Sequence, residues 1–233
     1  MGTARYEQRR SEIETYFDRT AAAAWSALTS TDPVGRIRQT VRAGRDRMRQ
    51  TLLDYLPEDL TGARLLDAGC GTGALAVEAA RRGANVVAID LSPTLVELAR
   101  ERLPSDINGA SIEFRVGDMS APDLGRFDFA VAMDSLIHYD TADAVNAIAR
   151  IAERVDHGIA FTFAPWNPLL GMMHAAGRAF PRANRAPSIV PVAETALWKA
   201  LDTHPALAAW SRGRTERIKS GYYTSQACEL RHR

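Results

Sequence analysis

Short apolar runs alternate with amphipathic segments between residues 64 and 163 of the chain. The apolar runs are typical of buried strands, and the segments between them repeat apolar positions every three to four residues, as helices do. The pattern predicts strands at 64–68, 85–90, 112–116, 127–133 and 158–163, and helices at 73–82, 93–103 and 142–152. Because buried strands separated by helices form a parallel sheet covered on both faces, the predicted fold class is α/β and doubly wound.

The N-terminal section, residues 5–56, is predicted to be helical. Four apolar side chains share one helical face: Ile37, Val41, Met48 and Leu52. Arginines occupy most of the other positions between 36 and 49, and we expect them on the solvated side of an amphipathic helix. Residues 1–57 are therefore predicted to form a helical arm or lid on a main domain that spans 58–233.

The alternation stops after residue 163. The segment 165–191 is rich in proline and mixes large apolar with basic residues, and irregular segments of that length are uncommon unless they bind a ligand. We therefore expect a lid or substrate wall inserted after the fifth strand. A helix that reaches about residue 210 and a closing hairpin over 214–231 are predicted to follow.

The 233 residues are 46% hydrophobic and 24% charged, which fits one globular domain with appended helices. A formal net charge of +1 provides no basic field for nucleic acid. The two cysteines, Cys70 and Cys228, suggest no disulfide framework and favour a reducing cytoplasm. No apolar run has the roughly 18 residues that span a bilayer, and the charged stretch 5–14 lacks the features of a signal peptide. We expect a cytoplasmic protein.

The strongest chemical signal is a glycine loop after the first predicted strand, where residues 65–73 read LLDAGCGTG. Glycines permit positive φ and let a ligand lie against the backbone, and the helix that follows provides unsatisfied N–H donors. The spacing G-x-G-x-G differs from the G-x-G-x-x-G of nicotinamide-binding folds. The carboxylate of Asp67, two residues before Gly69, suits a cationic ligand group better than a pyrophosphate. The loop predicts Asp67, Gly69, Cys70 and Gly71 as binding residues.

Two further acidic residues follow the next two predicted strands. Asp90, with Leu91 beside it, ends the second strand, where a carboxylate can accept hydrogen bonds from both hydroxyls of a ribose. Asp118 follows the third strand and can accept a hydrogen bond from an adenine amino group, with Met119 against the ring. In this order, the glycine loop and the two acids resemble the class I S-adenosylmethionine-dependent methyltransferases over residues 60–163. That resemblance implies a Rossmann-like, mostly parallel seven-stranded sheet.

The end of the fourth predicted strand is the expected substrate side of the site. Residues 133–139 read MDSLIHY, and Met133 is expected to contact the cofactor. Methylases that act on base amino groups carry an Asn/Asp-Pro-Pro-aromatic motif at this place, and the different sequence here argues against that class. His138 is the candidate for contact with the methyl acceptor.

Around this core the chain resembles one family, the magnesium-protoporphyrin IX O-methyltransferases of chlorophyll and bacteriochlorophyll biosynthesis. Tyr16-Phe17 with Trp25 contributes to the resemblance, as do the stretches RAGR (42–45), DSLIHY (134–139), FTFAP (161–165) and SGYYTS (220–225). It implies methyl transfer from S-adenosylmethionine to a propionate of Mg-protoporphyrin IX, giving the monomethyl ester. The family often has a tyrosine after that tryptophan that covers the active site. Residues 28–30 read LTS here, and we take Tyr16 as its catalytic stand-in.

The resemblance also implies the enzyme's cofactor and partners. S-adenosylhomocysteine is the second product, and magnesium belongs to the substrate, so no protein-bound metal is expected. A magnesium chelatase subunit is implied as the source of the substrate. Any association with the photosynthetic membrane is expected to be peripheral.

A porphyrin is a broad apolar plate with two carboxylates. Segment 165–191 offers an apolar wall and cations that suit it: Trp166, Leu169, Leu170, Met172, Met173 and Phe180, beside Arg178, Arg182 and Arg185. A helix docked on the core with its arginines in water explains the same residues equally well. A propionic acid has a pKa of about 4.3 and is ionised at neutral pH, so we expect His138 to orient the carboxylate rather than to act as a base.

Three other interpretations fit parts of the sequence. The nearest is an O-methyltransferase for another small molecule, such as a quinone, a phenol or a different carboxylate. A nicotinamide-dependent oxidoreductase would use a similar glycine loop. A nucleotide-binding or membrane-surface module without catalysis would use the arginines between 36 and 49.

Overall fold

The computed structural model describes residues 4–20, 35–107, 109–166 and 189–233. Within those ranges the helices are α1 (Ala4–Thr15), α2 (Arg36–Asp54), α3 (Ala74–Arg81), α4 (Pro93–Glu101), α5 (Thr141–Ala152) and α6 (Glu194–Thr203). The strands are β1 (Arg64–Ala68), β2 (Asn85–Asp90), β3 (Ile112–Val116), β4 (Phe127–Ala132), β5 (Val155–Phe163), β6 (Trp210–Ser220) and β7 (Tyr223–His232). A π-helical turn, Tyr16–Thr20, continues α1.

The strands of the described chain form one seven-stranded sheet in the order β3-β2-β1-β4-β5-β7-β6. β3, β2, β1, β4 and β5 are parallel, and β7 pairs antiparallel with both β5 and β6. The strand order reverses between β1 and β4. At such a switch point the connections leave in opposite directions, so a crevice forms outside the carboxyl ends of the strands. The predicted doubly wound, mostly parallel fold is confirmed.

The two faces of the sheet bury alternate residues of each strand, because successive side chains of a strand point to opposite sides. In β1, Leu65 belongs to the cluster formed with α2, α3 and α4. Leu66 belongs to the opposite cluster, formed with α5 and α6, which α1 joins through Tyr6 and Ile13. Helices therefore cover both faces, as the sequence pattern predicts.

Predicted element ends differ from the structure near the C-terminus. β5 begins at Val155, earlier than 158, because Val155 pairs with Phe127 before an irregularity in the register. α6 ends at Thr203 and not near 210, since Pro205 lacks an N–H and disfavours a helical conformation at the residue before it. The closing hairpin correspondingly starts at Trp210.

The N-terminal section is helical over 4–20 and 36–54, and residues 21–34, with Trp25 and the stretch 28–30, lie outside the described residues. α2 buries Met48 and Leu52 as predicted. Ile37, assigned to the same face, is 60% exposed. The helix is held to the β6–β7 turn from Thr40 onward, where Ser220 Oγ donates to the Thr40 carbonyl at 2.7 Å. The first turn of α2 projects beyond that contact.

The predicted insertion after β5 is described at its two ends. Trp166 N donates to the Val192 carbonyl, and Val192 N donates to the Ala164 carbonyl, both at 2.9 Å, so the ends of the segment lie side by side. Residues 167–188, which include the proposed wall from Leu169 to Arg185, lie outside the described residues. In the part of the chain that the structure covers, no helix has the length and hydropathy to span a membrane.

Candidate active site

A cavity of about 530 Å³ lies at the carboxyl ends of the parallel strands, beside the switch point. All nine predicted cofactor residues line it: Asp67, Gly69, Cys70, Gly71, Asp90, Leu91, Asp118, Met119 and Met133. His138 lines it too, whereas Tyr16 is not among its lining residues in the described chain. The cavity therefore brings together side chains that follow four different strands.

The glycine loop turns sharply against the neighbouring strands. Gly69 has a φ of +86°, and its N–H donates to the Ile89 carbonyl at 2.8 Å. A Cβ at Gly69 would come within 2.3 Å of the Ser135 Cβ, and Ser135 Oγ in turn donates to the Ala68 carbonyl at 2.8 Å. The loop after β1 and the loop after β4 are thus packed together without room for a side chain. Backbone remains exposed to the cavity along this wall.

Asp90 is held by backbone N–H groups of the glycine loop and of the turn that follows it. Its Oδ2 accepts from the Gly71 N–H at 2.8 Å, and its Oδ1 accepts from the Ser92 N–H at 2.9 Å. Burial raises the pKa of this carboxyl, and the backbone donors oppose that rise. The carboxylate is held rigidly at the cavity wall, where each oxygen can still accept from a ligand hydroxyl.

Asp67 is the most deeply buried acid of the cavity, with 1% of its surface exposed. Its Oδ2 has no hydrogen-bond partner among the described residues. Burial, and then the nearby Asp90 carboxylate, raise the pKa of Asp67 to about 7. A buried carboxylate with an unsatisfied oxygen is costly, and a cation placed beside it removes most of that cost.

Asp118 is contacted by its own turn and by α1. Its Oδ1 accepts from Ser120 N and Oγ, each at 2.7 Å. The Tyr6 hydroxyl donates to both carboxylate oxygens at 3.1 to 3.2 Å, and Arg10 Nη1 lies 3.5 Å from Oδ2. Burial and the Asp118 charge raise the pKa of Tyr6 to about 12, so its hydroxyl stays protonated and donates. α1 therefore closes the side of the cavity assigned to adenine.

His138 lies in a short helical turn after β4 and is 7% exposed. Its backbone carbonyl accepts from Arg9 Nε at 2.8 Å, and its ring meets the Phe17 ring edge-on at 5.7 Å. The Tyr16 ring contacts the Phe17 ring edge-on, with the ring centroids 5.3 Å apart. The structure thus places Phe17 at the cavity beside His138, and the catalytic role of Tyr16 stays a prediction.

Asp134 connects four of the stretches on which the family resemblance rests. Its side chain is 5% exposed, and Arg45 Nη1 donates to Oδ2 at 2.6 Å. Thr162 Oγ1 and Ser225 Oγ donate to Oδ1 at 3.2 and 3.1 Å, and the Tyr223 hydroxyl lies 3.1 Å from both oxygens. Asp134 has a φ of 54°, unique among the described non-glycine residues. These contacts offset the strain of that conformation.

The arginines of α2 do not all face solvent, contrary to the expectation from sequence. Arg42, Arg45 and Arg49 line the cavity together with Asp46. Arg36, Arg38 and Arg47 are exposed, as expected. The difference arises because α2 lies along the cavity edge, so two of its faces are covered: one by the sheet and one by the site.

Comparison with known proteins identifies the family. Residues 132–232 match the family model described as Magnesium-protoporphyrin IX methyltransferase C-terminus, and residues 65–158 match that described as Methyltransferase domain. The magnesium-protoporphyrin O-methyltransferase of Rhodobacter capsulatus is 46% identical over 227 residues, 97% of this chain and 98% of that protein. This chain belongs to the magnesium-protoporphyrin O-methyltransferase family.

Two further comparisons support that membership. The magnesium protoporphyrin IX methyltransferase of Synechocystis PCC 6803, solved with bound S-adenosylhomocysteine, has the same fold, with a TM-score of 0.84 at 24% identity over 97% of this chain and 100% of that one. A ubiquinone biosynthesis O-methyltransferase of Xanthomonas oryzae is 42% identical, but over 42% of this chain and 43% of that protein. The near-complete alignment therefore favours the magnesium-protoporphyrin family over the ubiquinone enzymes. The predicted family is confirmed.

The residues of this family member fit S-adenosylmethionine. The unsatisfied oxygen of Asp67 suits a cationic group, and the anchored carboxylate of Asp90 suits a ribose diol. Asp118 suits the adenine amino group, and the side-chain-free Gly69 lets a ligand approach the backbone. These acceptors thus match the cationic, ribose and adenine groups of the cofactor but not its carboxylate, for which an arginine is the usual partner.

Sequence reasoning missed several cavity residues that belong to the N-terminal helices. Tyr6 and Ile13 are the two buried residues of α1 and both line the cavity. Their spacing of seven places them on one face of a helix that is otherwise charged, and that spacing was the available signal. Arg42, Arg45 and Arg49 repeat the same spacing on α2.

Proposed function

We propose that the chain transfers the methyl group of S-adenosylmethionine to a propionate carboxylate of Mg-protoporphyrin IX, giving the monomethyl ester. The observation that carries the proposal is the near-full-length match at 46% identity, together with a cavity lined by every predicted cofactor residue. The chain is accordingly an S-adenosylmethionine-dependent O-methyltransferase of chlorophyll and bacteriochlorophyll biosynthesis.

The residues of the site have to orient the reactants rather than create a nucleophile. Bound S-adenosylmethionine supplies the methyl group, and the carboxylate forms the O–C bond as the C–S bond breaks. The propionate, with a pKa of about 4.3, is ionised without a base. His138 lines the cavity and is held by Arg9 and Phe17, so its ring can orient the acceptor carboxylate. Alignment of this kind can supply roughly 7–11 kcal/mol of the barrier.

The N-terminal arm, 1–57, is the proposed cover of the site. Tyr6, Ile13 and Phe17 close the cavity from one side, and the cavity face of α2 closes it from another. Exclusion of water by these helices strips hydration from the anionic acceptor and strengthens its electrostatic contacts. The arm is therefore a wall of the site as well as a lid, and residues 165–191 are the proposed second cover.

The direct test is purified protein with S-adenosylmethionine and Mg-protoporphyrin IX, analysed for product by mass. A single added methyl is expected, and metal-free protoporphyrin run alongside shows whether the magnesium is recognised. A phenol or quinone acceptor methylated in preference to the porphyrin would contradict the proposal. A phenol needs a base, so its turnover would also depend steeply on histidine ionisation.

His138 is tested against a histidine outside the site. His138→Ala should lower kcat by about a hundredfold through misplacement of the acceptor, with the affinity for S-adenosylhomocysteine nearly unchanged. His157→Ala is the matched control, because His157 is 63% exposed at the start of β5. Loss of cofactor binding in His138→Ala at an unchanged melting temperature would contradict the assigned role.

We also propose two partners that the family resemblance implies, a magnesium chelatase subunit and the photosynthetic membrane. A magnesium chelatase subunit would deliver the substrate, and the protein would contact photosynthetic membrane peripherally from the cytoplasm. Stimulation of turnover by the purified chelatase subunit, and co-sedimentation with anionic vesicles that salt reverses, are the two measurements. Turnover that the chelatase subunit does not change would contradict the first proposal, and an absence of co-sedimentation with the vesicles would contradict the second.

A further inference from the structure

Helix α1 contacts the site at two separate places. Near its start, the Tyr6 hydroxyl donates to the Asp118 carboxylate on the side assigned to adenine. Further along, Arg9 Nε donates to the His138 carbonyl at 2.8 Å, although 129 positions separate the two residues in the chain. Among the described residues Arg9 does not line the active-site cavity, so it acts on the site through the residues that it contacts. Of those, His138 is the one assigned to the methyl acceptor.

His138 ends a three-residue helical turn, Leu136–His138, between β4 and α5. Because a turn of this 3₁₀ type has poorer hydrogen-bond geometry than an α-helix, we expect contacts from elsewhere in the chain to fix its position. Donors from outside the turn reach its backbone. Val190 N donates to the Ile137 carbonyl at 2.8 Å, and Arg9 Nε donates to the adjoining His138 carbonyl. The direction of the His138 side chain therefore depends on a donor that α1 supplies.

A second cavity, of about 230 Å³, adjoins this turn between α1 and the start of α5. His138 lines both this cavity and the active-site cavity, and Arg9 lines the second one. A side chain that borders two cavities makes fewer packing contacts than a core residue, so its surroundings hold it less firmly. Arg9 Nε bonds the His138 carbonyl, and its Nη1 lies 3.1 Å from the Glu12 carboxylate one turn along α1. The guanidinium thus supports the turn where the second cavity leaves it without packing.

We propose that Arg9 is a positioning residue for the methyl transfer. Its hydrogen bond sets the place of the His138 backbone, and hence the point from which the His138 ring contacts the acceptor. This role rests on the proposed function, in which His138 orients a carboxylate. A guanidinium donor makes a stronger, charge-assisted bond to a carbonyl than a neutral donor does, and a displacement of about 1 Å in a reacting geometry can cost about a hundredfold in rate. Loss of Arg9 should therefore slow the reaction without a change in the cofactor site.

Arg9→Met removes every N–H donor and keeps the apolar part of the side chain. At saturating Mg-protoporphyrin IX and S-adenosylmethionine, kcat should fall about tenfold, with the dissociation constant of S-adenosylhomocysteine unchanged. Arg9→Gln places an amide nitrogen where the arginine has Nε, and should recover part of the lost kcat. Arg5→Met is the matched control on the same helix. Arg5 is 70% exposed and bonds the Asp140 side chain, and because exposed ion pairs contribute little, its loss should leave kcat within about twofold of the wild type.

A double-mutant cycle separates positioning from a general loss of structure. Because Arg9 acts through His138, Arg9→Met should have no further effect on kcat in the His138→Ala protein. A residue that only secured α1 would give the same loss of kcat in both backgrounds, and that result would overturn the proposal. Unchanged kcat in folded Arg9→Met, or an equal loss in Arg9→Met and Arg9→Gln, would overturn it too.

A measurement that needs no turnover follows His138 directly. The chain has five histidines, so NMR can resolve their ring Cε1–H signals, and His138→Ala identifies the signal of His138. Arg9→Met should shift that signal and leave the signal of His157, which is 63% exposed, in place. An unshifted His138 signal would overturn the proposal.

The NMR result also distinguishes a failure of the proposed function. A shifted His138 signal in Arg9→Met, with a wild type that does not methylate Mg-protoporphyrin IX, would support the positioning of His138 and refute the substrate assignment alone. Normal methylation by the wild type with an unchanged kcat in Arg9→Met would refute the positioning role alone.

Discussion

Cofactor binding should be controlled by the ionisation of Asp67. The side chain is 1% exposed, and burial, followed by the nearby Asp90 carboxylate, raises its pKa from an ordinary 3.8 to about 7. In the ligand-free protein, Asp67 is therefore about half protonated at neutral pH. The ammonium group of S-adenosylhomocysteine, placed beside it, stabilises the carboxylate and lowers that pKa. Binding then releases a proton, and affinity rises with pH until the ligand-free Asp67 is fully ionised.

The size of the effect follows from that pKa. Between pH 8 and pH 6 the ionised fraction of a group with a pKa of about 7 falls roughly tenfold. The dissociation constant for S-adenosylhomocysteine should therefore rise about tenfold, which is about 1.4 kcal/mol. At pH 7 binding should release about half a proton, detected by calorimetry as a heat that varies with the ionisation enthalpy of the buffer.

Asp67→Asn is the matched control, because it keeps the shape of the side chain but cannot ionise. The variant should bind S-adenosylhomocysteine about as weakly as the wild type at its acid limit, with little dependence on pH. Since the folded pKa of Asp67 is raised, its contribution to stability is present at low pH and lost as pH rises through about 7. The ligand-free variant should therefore melt above the wild type at pH 8. A flat wild-type affinity profile, or an equal slope in the variant, would refute the reasoning.

Three further substitutions test the packing around the site. Gly69→Ala, at a φ of +86° and with its Cβ 2.3 Å from the Ser135 Cβ, should lower stability by about 1–3 kcal/mol and abolish binding of S-adenosylhomocysteine, measured by thermal melting and calorimetry. Gly44→Ala, whose Cβ would lie 2.6 Å from a tyrosine ring carbon of β7, should destabilise α2 by about 1–3 kcal/mol, measured in urea. Tyr6→Phe removes the donor to Asp118 and should loosen α1 by about 1 kcal/mol, seen as faster amide exchange over residues 4–15. An unchanged melting temperature, urea unfolding free energy or amide exchange rate would contradict the contact that the corresponding substitution tests.

The convergence of the residues assigned to the cofactor on one cavity was predictable because they follow the strands in chain order. Asp67, Asp90 and Asp118 stand at the ends of β1, β2 and β3, and parallel strands bring their carboxyl ends to one edge by topology alone. A local pattern of strand, glycine or acid, and helix is therefore enough to locate them. No long-range contact has to be known in advance.

The contacts that α1 and α2 make at the cavity were not predictable in the same way. The contacts of Tyr6 with Asp118 and of Arg9 with His138 join residues more than a hundred positions apart, and a charged helix such as α1 gives no local sign of its partner. The α2 arginines were assigned to solvent because helical periodicity identifies the apolar face but not which polar face meets a cavity. Pairing of Arg45 with Asp134 depends on how α2 docks, which only the tertiary structure decides.

The arrangement around Asp134 solves a problem that this reaction imposes on its own active site. The methyl donor is a sulfonium and the acceptor is a carboxylate, so any other carboxylate at the cavity wall competes with the substrate for the same cation. Asp134 lines the cavity, yet Arg45 neutralises it and Tyr223 also donates to its oxygens. Asp67 differs, because burial raises its pKa to about 7 and it becomes a full anion only when a cation arrives. The other cavity carboxylates are therefore held by protein donors, and Asp67 by the cationic group that binds beside it, so that the incoming propionate is the one left to meet the methyl group.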